Sequence, residues 1–236
     1  MASFLYKQFG TVPVNTHTLK SALKEYKAPM AKISLLQREG VILNLRRDLY
    51  LCLPEDGEGT YSRELVANHL LHPSYVSHET VLSQAGVIPE RVTLLKSSCM
   101  KRSKTFDNAT GRYEYIQVPE AYFPIGLTRQ KTEEGYFYLT ATPEKALCDL
   151  IVSSSNLRIQ SMKTMRSYLD EYLRADWDMI AGMDISIIRA CAEKTNKKKN
   201  ELNFLERTMS CLSSKIRTSL ISGRPHSTNK PLLAFV

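Results

Sequence analysis

The 236-residue sequence contains no apolar run that approaches the length of a membrane helix. It has no secretory signal core either, because Phe4, Leu5 and Phe9 in the segment Met1 to Gly10 are interrupted by Lys7 and Gln8. Cysteine is sparse: Cys52, Cys99, Cys148, Cys191 and Cys211 are an odd number, widely scattered, with no C-x-x-C pair. That argues against a disulfide framework and a cysteine zinc site, and the thiols, most of them set among Leu, Ile and Val, read as buried groups in a reducing cytoplasm. A G-x-G-x-x-G phosphate loop is absent, as are internal repeats, and the one low-complexity run is Lys197-Lys198-Lys199. What remains is the expectation of a folded, soluble, cytoplasmic protein, for which 43% apolar residues supply a real core.

Charge is present but unevenly placed. Of a net +8, residues 1–53 hold eight Lys/Arg against three Asp/Glu, residues 54–150 ten against thirteen, and residues 151–236 fourteen against eight. Basic ends flank an acidic middle. A small basic unit suits a polyanion, since each phosphate it neutralises releases condensed counterions. The same charges also serve solubility, so they do not decide the matter alone.

The first fifty residues carry a helix, helix, turn, helix, hairpin pattern. A short opening helix ends at Gly10 and the extended Val12-Pro13 step. Asn15 or Thr16 caps a second helix, in which Leu19, Ala22, Leu23 and Tyr26 recur at helical spacing. After a turn at Lys27-Ala28, Pro29 opens a third helix with Met30, Ile33 and Leu36 inward and Leu35 as a further inward candidate, ending at Gly40. Val41 to Leu45 and Leu49 to Leu53 then form two strands around the tip Arg46-Arg47-Asp48. Pro54 to Thr60 reads as an acidic, glycine-rich linker.

Beyond it, helices are expected at Arg63 to Leu71 and Glu79 to Gln84, and strands at Tyr75 to Ser77, Val92 to Lys96, Arg112 to Val118 and Tyr136 to Thr140, with a basic polar loop between the second and third of these strands. Thr142-Pro143-Glu144 opens a strongly amphipathic helix, and Met162 to Leu173, Ile185 to Ala192 and Leu202 to Leu212 complete a helical remainder. The expected fold is α+β: an N-terminal winged helix over 1–53, a mixed α/β middle domain over 60–149, a helical C-terminal region over 150–212 and a flexible tail over 213–236.

A winged helix reads DNA with its third helix in the major groove and its hairpin tip on the backbone or minor groove. Gln37 and Arg38 are the residue types that pair with adenine and guanine, Lys32 and Ser34 can hold phosphates, and Arg46 and Arg47 supply the tip. A small three-helix module with merely solvated charges is the competing reading. Lys197, Lys198 and Lys199 at a helix start would make a second nucleic-acid contact or a solvated end, with equal weight. Lys101, Arg102 and Lys104 form a further basic loop. His69, His72 and His78 lack a Cys or carboxylate to complete a metal set, so no metal or other cofactor is expected. Ser77-His78-Glu79 has triad residue types, but adjacency builds no triad, and Thr142-Pro143-Glu144 is capping chemistry; an enzyme is not expected.

Three segments also carry a resemblance. Tyr75 to Arg91 (Y-V-S-H-E-T-V-L-S-Q-A-G-V-I-P-E-R), Ser103-Lys-Thr-Phe-Asp107 with Gly111-Arg-Tyr113, and Ala141-Thr-Pro-Glu-Lys-Ala-Leu-Cys-Asp149 resemble, in order, segments of AbiEi-family antitoxins. The likeness covers about residues 1–210. It departs where that family usually has glycine in place of Asp48, and an aromatic or histidine near Gln84-Ala85. The resemblance implies an antitoxin that represses its own operon through operator DNA and counteracts a nucleotidyltransferase toxin of the AbiEii type, without a stable complex, in abortive phage infection. Two rivals remain: a stand-alone winged-helix transcriptional regulator whose larger part senses a ligand or protein, and a nuclease steered to DNA. The nuclease would need clustered carboxylates with a lysine, and Asp107 and Glu114 show no such spacing.

Overall fold

Short-range chemistry sets the elements of the first unit. Helix α1 (Ala2–Phe9) stops at Gly10, whose φ of 56° is left-handed backbone. Strand β1 (Val14–Asn15) leads into α2 (Thr16–Ala22), which Asn15 caps by accepting the Thr18 N–H at 2.8 Å. Pro29, with no N–H to lose, opens α3 (Pro29–Arg38), and the hairpin β2 (Ile42–Arg46) and β3 (Leu49–Cys52) follows. β3 pairs antiparallel with both β1 and β2, so the sheet order is β1-β3-β2. Residues 2–54 and 60–222 are described in a computed structural model, the side chains of 2, 3 and 213–222 excepted. Most of the expected linker, residues 55–59, lies outside the described residues.

Both faces of this small sheet are covered. Ile42, Tyr50 and Cys52 close on Leu5, Leu19, Ile33 and Leu36 of the helices. Leu49 and Leu51 alternate to the other face and, with Leu45, enter a second and larger core that runs through the rest of the chain. Asn108 ties the two together by donating to the Leu45 carbonyl at 2.9 Å. The first unit is therefore bedded on the second.

The larger unit is built on a six-stranded mixed sheet of β4 (Ser74–Val76), β5 (Leu95–Cys99), β6 (Lys104–Asn108), β7 (Gly111–Gln117), β8 (Leu127–Lys131) and β9 (Phe137–Ala141). Its order is β6-β7-β5-β4-β9-β8, with β5–β7 and β4–β9 parallel and the other pairs antiparallel. Helices α4 (Arg63–Leu70), α5 (His78–Gln84) and α6 (Pro143–Ser153) pack on it, followed by α7 (Met162–Ser167) with a π-helical turn Tyr168–Tyr172, α8 (Trp177–Ala181), α9 (Ile185–Lys194) and α10 (Lys199–Ser222). The protein is α+β.

Several expectations need correction. The basic loop expected after Lys96 contains β6, and β8 was not expected at all; both are edge strands rich in Lys, Thr, Arg, Asp and Gln, and a strand with one neighbour needs no apolar alternation. β5 begins at Leu95, three residues after the expected Val92. The boundary at 149/150 falls inside α6, whose Leu147, Leu150 and Ile151 share one core with Ile188 of α9 and Leu205 of α10. Helix α10 continues to Ser222, ten residues beyond the expected end at Leu212; residues 223–236 lie outside the described residues.

Candidate functional site

The outward face of α3 carries Ser34, Gln37 and Arg38, all exposed, and, contrary to the inward placement expected for them, Met30 and Leu35 at 46% and 39% exposure; only Ile33 and Leu36 face the core. Ser34 and Arg38 lie one turn apart, and both lean back along the helix: Ser34 Oγ donates to the Met30 carbonyl and Arg38 Nε to the Ser34 carbonyl at 3.5 Å. Lys32 is placed differently. It lies at the edge of the face, half-buried, with its ammonium 5.6 Å from the centre of the Tyr26 ring. The hairpin tip also separates its two arginines. Arg47 projects with 97% of its side chain exposed, whereas Arg46 is half-buried and folds back so that its Nη1 donates to the Arg47 carbonyl at 3.1 Å. Asp48 takes φ 62°, the left-handed backbone for which glycine is the default, and is steadied there by the Thr16 hydroxyl, 3.0 Å from its Oδ1.

The lysine triplet is not one cluster. Lys197 and Lys199 are exposed, but Lys198 turns inward, donating to the Leu157 carbonyl and pairing with Glu201 at 3.3 Å. Of the histidines, His69 bonds the Leu65 carbonyl at 2.9 Å, His72 is exposed and His78 is buried, so the three do not converge; no group of metal ligands forms among the described residues. Cys52, Cys99, Cys148 and Cys191 are buried thiols.

A second constellation lies in the larger unit. Register places Tyr75, Ser98 and Ile116 side by side on β4, β5 and β7. Ser98 faces α6, where Asp149 Oδ2 accepts from Ser98 Oγ at 3.1 Å and from Ser77 Oγ at 2.6 Å. Lys145, one turn before Asp149, lies 3.4 Å from its Oδ1, donates to the Tyr122 carbonyl at 3.0 Å and sits over the Tyr122 ring. Both charged side chains are 0% exposed. His78 Nε2 meets Ser98 Oγ at 3.1 Å, and its Nδ1 has no hydrogen-bond partner. Ser98 gives its proton to Asp149, so it accepts from Nε2–H, and the lone pair lies on Nδ1. Neither serine is thereby primed as a nucleophile: each hydroxyl proton points at a carboxylate, and no carboxylate orients the imidazole. Thr142 does cap α6, accepting from Lys145 N at 3.4 Å, and Glu144 accepts the Asp184 N–H. The helix is not amphipathic as expected, however, being buried on every side from Lys145 to Ile151.

Burial holds the His78 pKa below its ordinary 6.5 against the opposing pull of Asp149 and Glu79. The unfolded chain therefore binds a proton below pH 6.5 that the folded chain refuses, so stability falls as pH drops from 6.5 towards the folded value. Burial raises the Glu79 carboxyl, but the Lys96 hydrogen bond helps bring it net below 4.5, so its contribution is lost only in stronger acid. His78→Gln is expected to flatten the dependence of Tm on pH between 6.5 and 4.5; an unchanged slope would show that His78 already ionises in the folded protein.

No family model matches this chain, and a search of curated proteins finds no match.

Proposed function

We propose that the protein is an operator-binding antitoxin whose residues 2–53 act as a winged helix. The observation that carries the DNA reading is the exposed face of α3, where Ser34, Gln37 and Arg38 stand on a helix braced by the β1-β3-β2 sheet, with Arg47 projecting from the hairpin. Gln37 and Arg38 read base edges in the major groove, Met30 and Leu35 offer apolar contact to thymine methyls, and Arg47 takes a phosphate or the minor groove. Lys32 and Arg46, both half-buried, contribute less directly.

The antitoxin part rests on the ordered resemblance from Tyr75 to Asp149. Its partner is a nucleotidyltransferase-like toxin, antagonised without a stable complex. The second reading, a stand-alone regulator with a sensing domain, is favoured by one observation, a cavity beside His78 and Asp149.

Because Leu45, Leu49 and Leu51 are buried against the larger unit, the two activities are better separated by substitution than by cutting near Thr60. The full chain should retard DNA from upstream of its own gene, with affinity falling steeply as salt rises. With toxin and antitoxin under separate promoters, Gln37→Ala/Arg38→Ala should lose repression and keep growth rescue. If the unaltered chain fails to rescue growth from the adjacent nucleotidyltransferase-like protein, the regulator reading replaces the antitoxin one.

A further inference from the structure

A cavity of about 490 Å³ opens beside the buried polar centre, a volume that suits a small organic ligand. His78 and Asp149 contribute to its wall. Ile116, Val118, Pro119 and Val152 give it an apolar side, and Gln117 and Asn196 bring amides that can both donate and accept. The one carboxylate in the wall is Asp149, already engaged by Ser77, Ser98 and Lys145, so an anionic ligand meets no uncommitted negative charge among the lining residues.

Positive charge stands in the wall on one segment and next to the wall residue Ser103 on another, far apart in sequence. Lys197, exposed, lies in the wall itself. Lys101 and Arg102, also exposed, stand in a loop fastened at both ends to a wall residue: Gln117 Nε2 donates to the Met100 carbonyl at 3.4 Å, and Gln117 N to Ser103 Oγ at 2.9 Å. His78 Nδ1, although unpartnered, has no accessible surface and adds no contact, so recognition falls to the amides and the cations.

We propose that this cavity binds a nucleoside phosphate, with the base between the apolar wall and the amides and the phosphate towards Lys197, Lys101 and Arg102. An amino-bearing base offers donors to the side-chain oxygens of Gln117 and Asn196. The phosphate is held by side-chain cations, in keeping with the absence of a glycine-rich cradle. A free nucleotide and the end of a single strand share this chemistry.

Calorimetric titration of the full chain, without DNA, tests the site separately from operator binding. The probes are AMP, UMP, ribose 5-phosphate, inorganic phosphate and a short single-stranded RNA ending in adenosine. AMP should bind saturably, UMP more weakly, and ribose 5-phosphate and phosphate at least about tenfold more weakly than AMP. Lys197→Gln should weaken AMP by about tenfold with Tm unchanged, whereas Lys104→Gln, whose ammonium lies over the Phe106 ring at 4.7 Å, should not. Val152→Trp, which fills the cavity, should abolish binding while operator retardation persists. RNA binding without AMP binding supports the site and makes the strand end its source. No saturation by AMP or RNA up to ~1 mM, or phosphate binding as tightly as AMP, overturns the proposal.

Discussion

Lys145→Met should lower the stability of the protein by about 3–5 kcal/mol, the usual consequence of removing one partner from a buried ion pair. Methionine keeps much of the volume and the apolar stem of lysine, so no large cavity is made. What is lost is the charge opposite Asp149 and the donor to the Tyr122 carbonyl. Asp149 then keeps only the hydroxyls of Ser77 and Ser98, with both side chains fully shielded from solvent in the intact pair. For a chain of this length the loss corresponds to a fall in Tm of roughly 6–20 °C. Adding Asp149→Asn removes the uncompensated charge while its amide oxygen can still accept from both serines, so the double variant should recover a large part of the loss. A double-mutant cycle in urea would measure this coupling. A single-variant loss below ~1 kcal/mol, the level of a surface pair, would mean that Lys145 and Asp149 are solvated.

The same pair shows where sequence reading stops. Lys145 and Asp149 are i and i+4 within the stretch Lys145-Ala-Leu-Cys-Asp-Leu-Ile151, and the proline and threonine before it draw attention to capping. Capping is there, but it says nothing about what surrounds the next two turns. The signal that was available is the run itself: five apolar residues enclose one positive and one negative charge at helical spacing, and a helix apolar all round must pair its charges. Ser98 and Ser77 could not have been joined to Asp149 from sequence, since the pairing of β4 with β5 and the packing of α6 on both bring residues 51 and 72 positions apart into contact.

In the first unit the local signals were fuller. Asn15 as cap, Pro29 as helix opener and the Arg47-Asp48 tip all act within a few residues of their partners, so this punctuation, with the apolar spacing beside it, located α2, α3 and the hairpin. The two-residue β1 had no pattern to announce it, because a strand that short is defined by its pairing with Tyr50 and Leu49. The burial of the hairpin's second face was legible only in the run Leu43, Leu45, Leu49, Leu51 and Leu53, which exceeds what one small core needs.

On the proposed DNA reading, that double burial separates the residues whose loss should report on DNA from those whose loss should report on folding. Arg47→Ala removes an exposed cation from the hairpin tip without touching either core, and should weaken binding on specific and unrelated DNA alike while reducing the log–log salt slope by about 0.9. Arg38→Ala should cost about 1–3 kcal/mol on the operator, a loss of roughly 5- to 150-fold, and relax the preference at one guanine position. Gln37→Ala should do the same at an adenine position. Arg46→Ala is the contrasting case. Its Nε is buried and its neighbour Leu45 lies in the larger core, so the substitution should lower Tm as well as affinity. Measured together by anisotropy titration and thermal melting, Arg47 and Arg38 should lose affinity at constant Tm, the former without and the latter with a change in sequence preference. If Arg38→Ala/Arg47→Ala binds the promoter fragment as tightly as the unaltered chain at every salt concentration, α3 is not the reading helix, and the exposed Lys197 and Lys199 at the start of α10 become the first basic residues to test in its place.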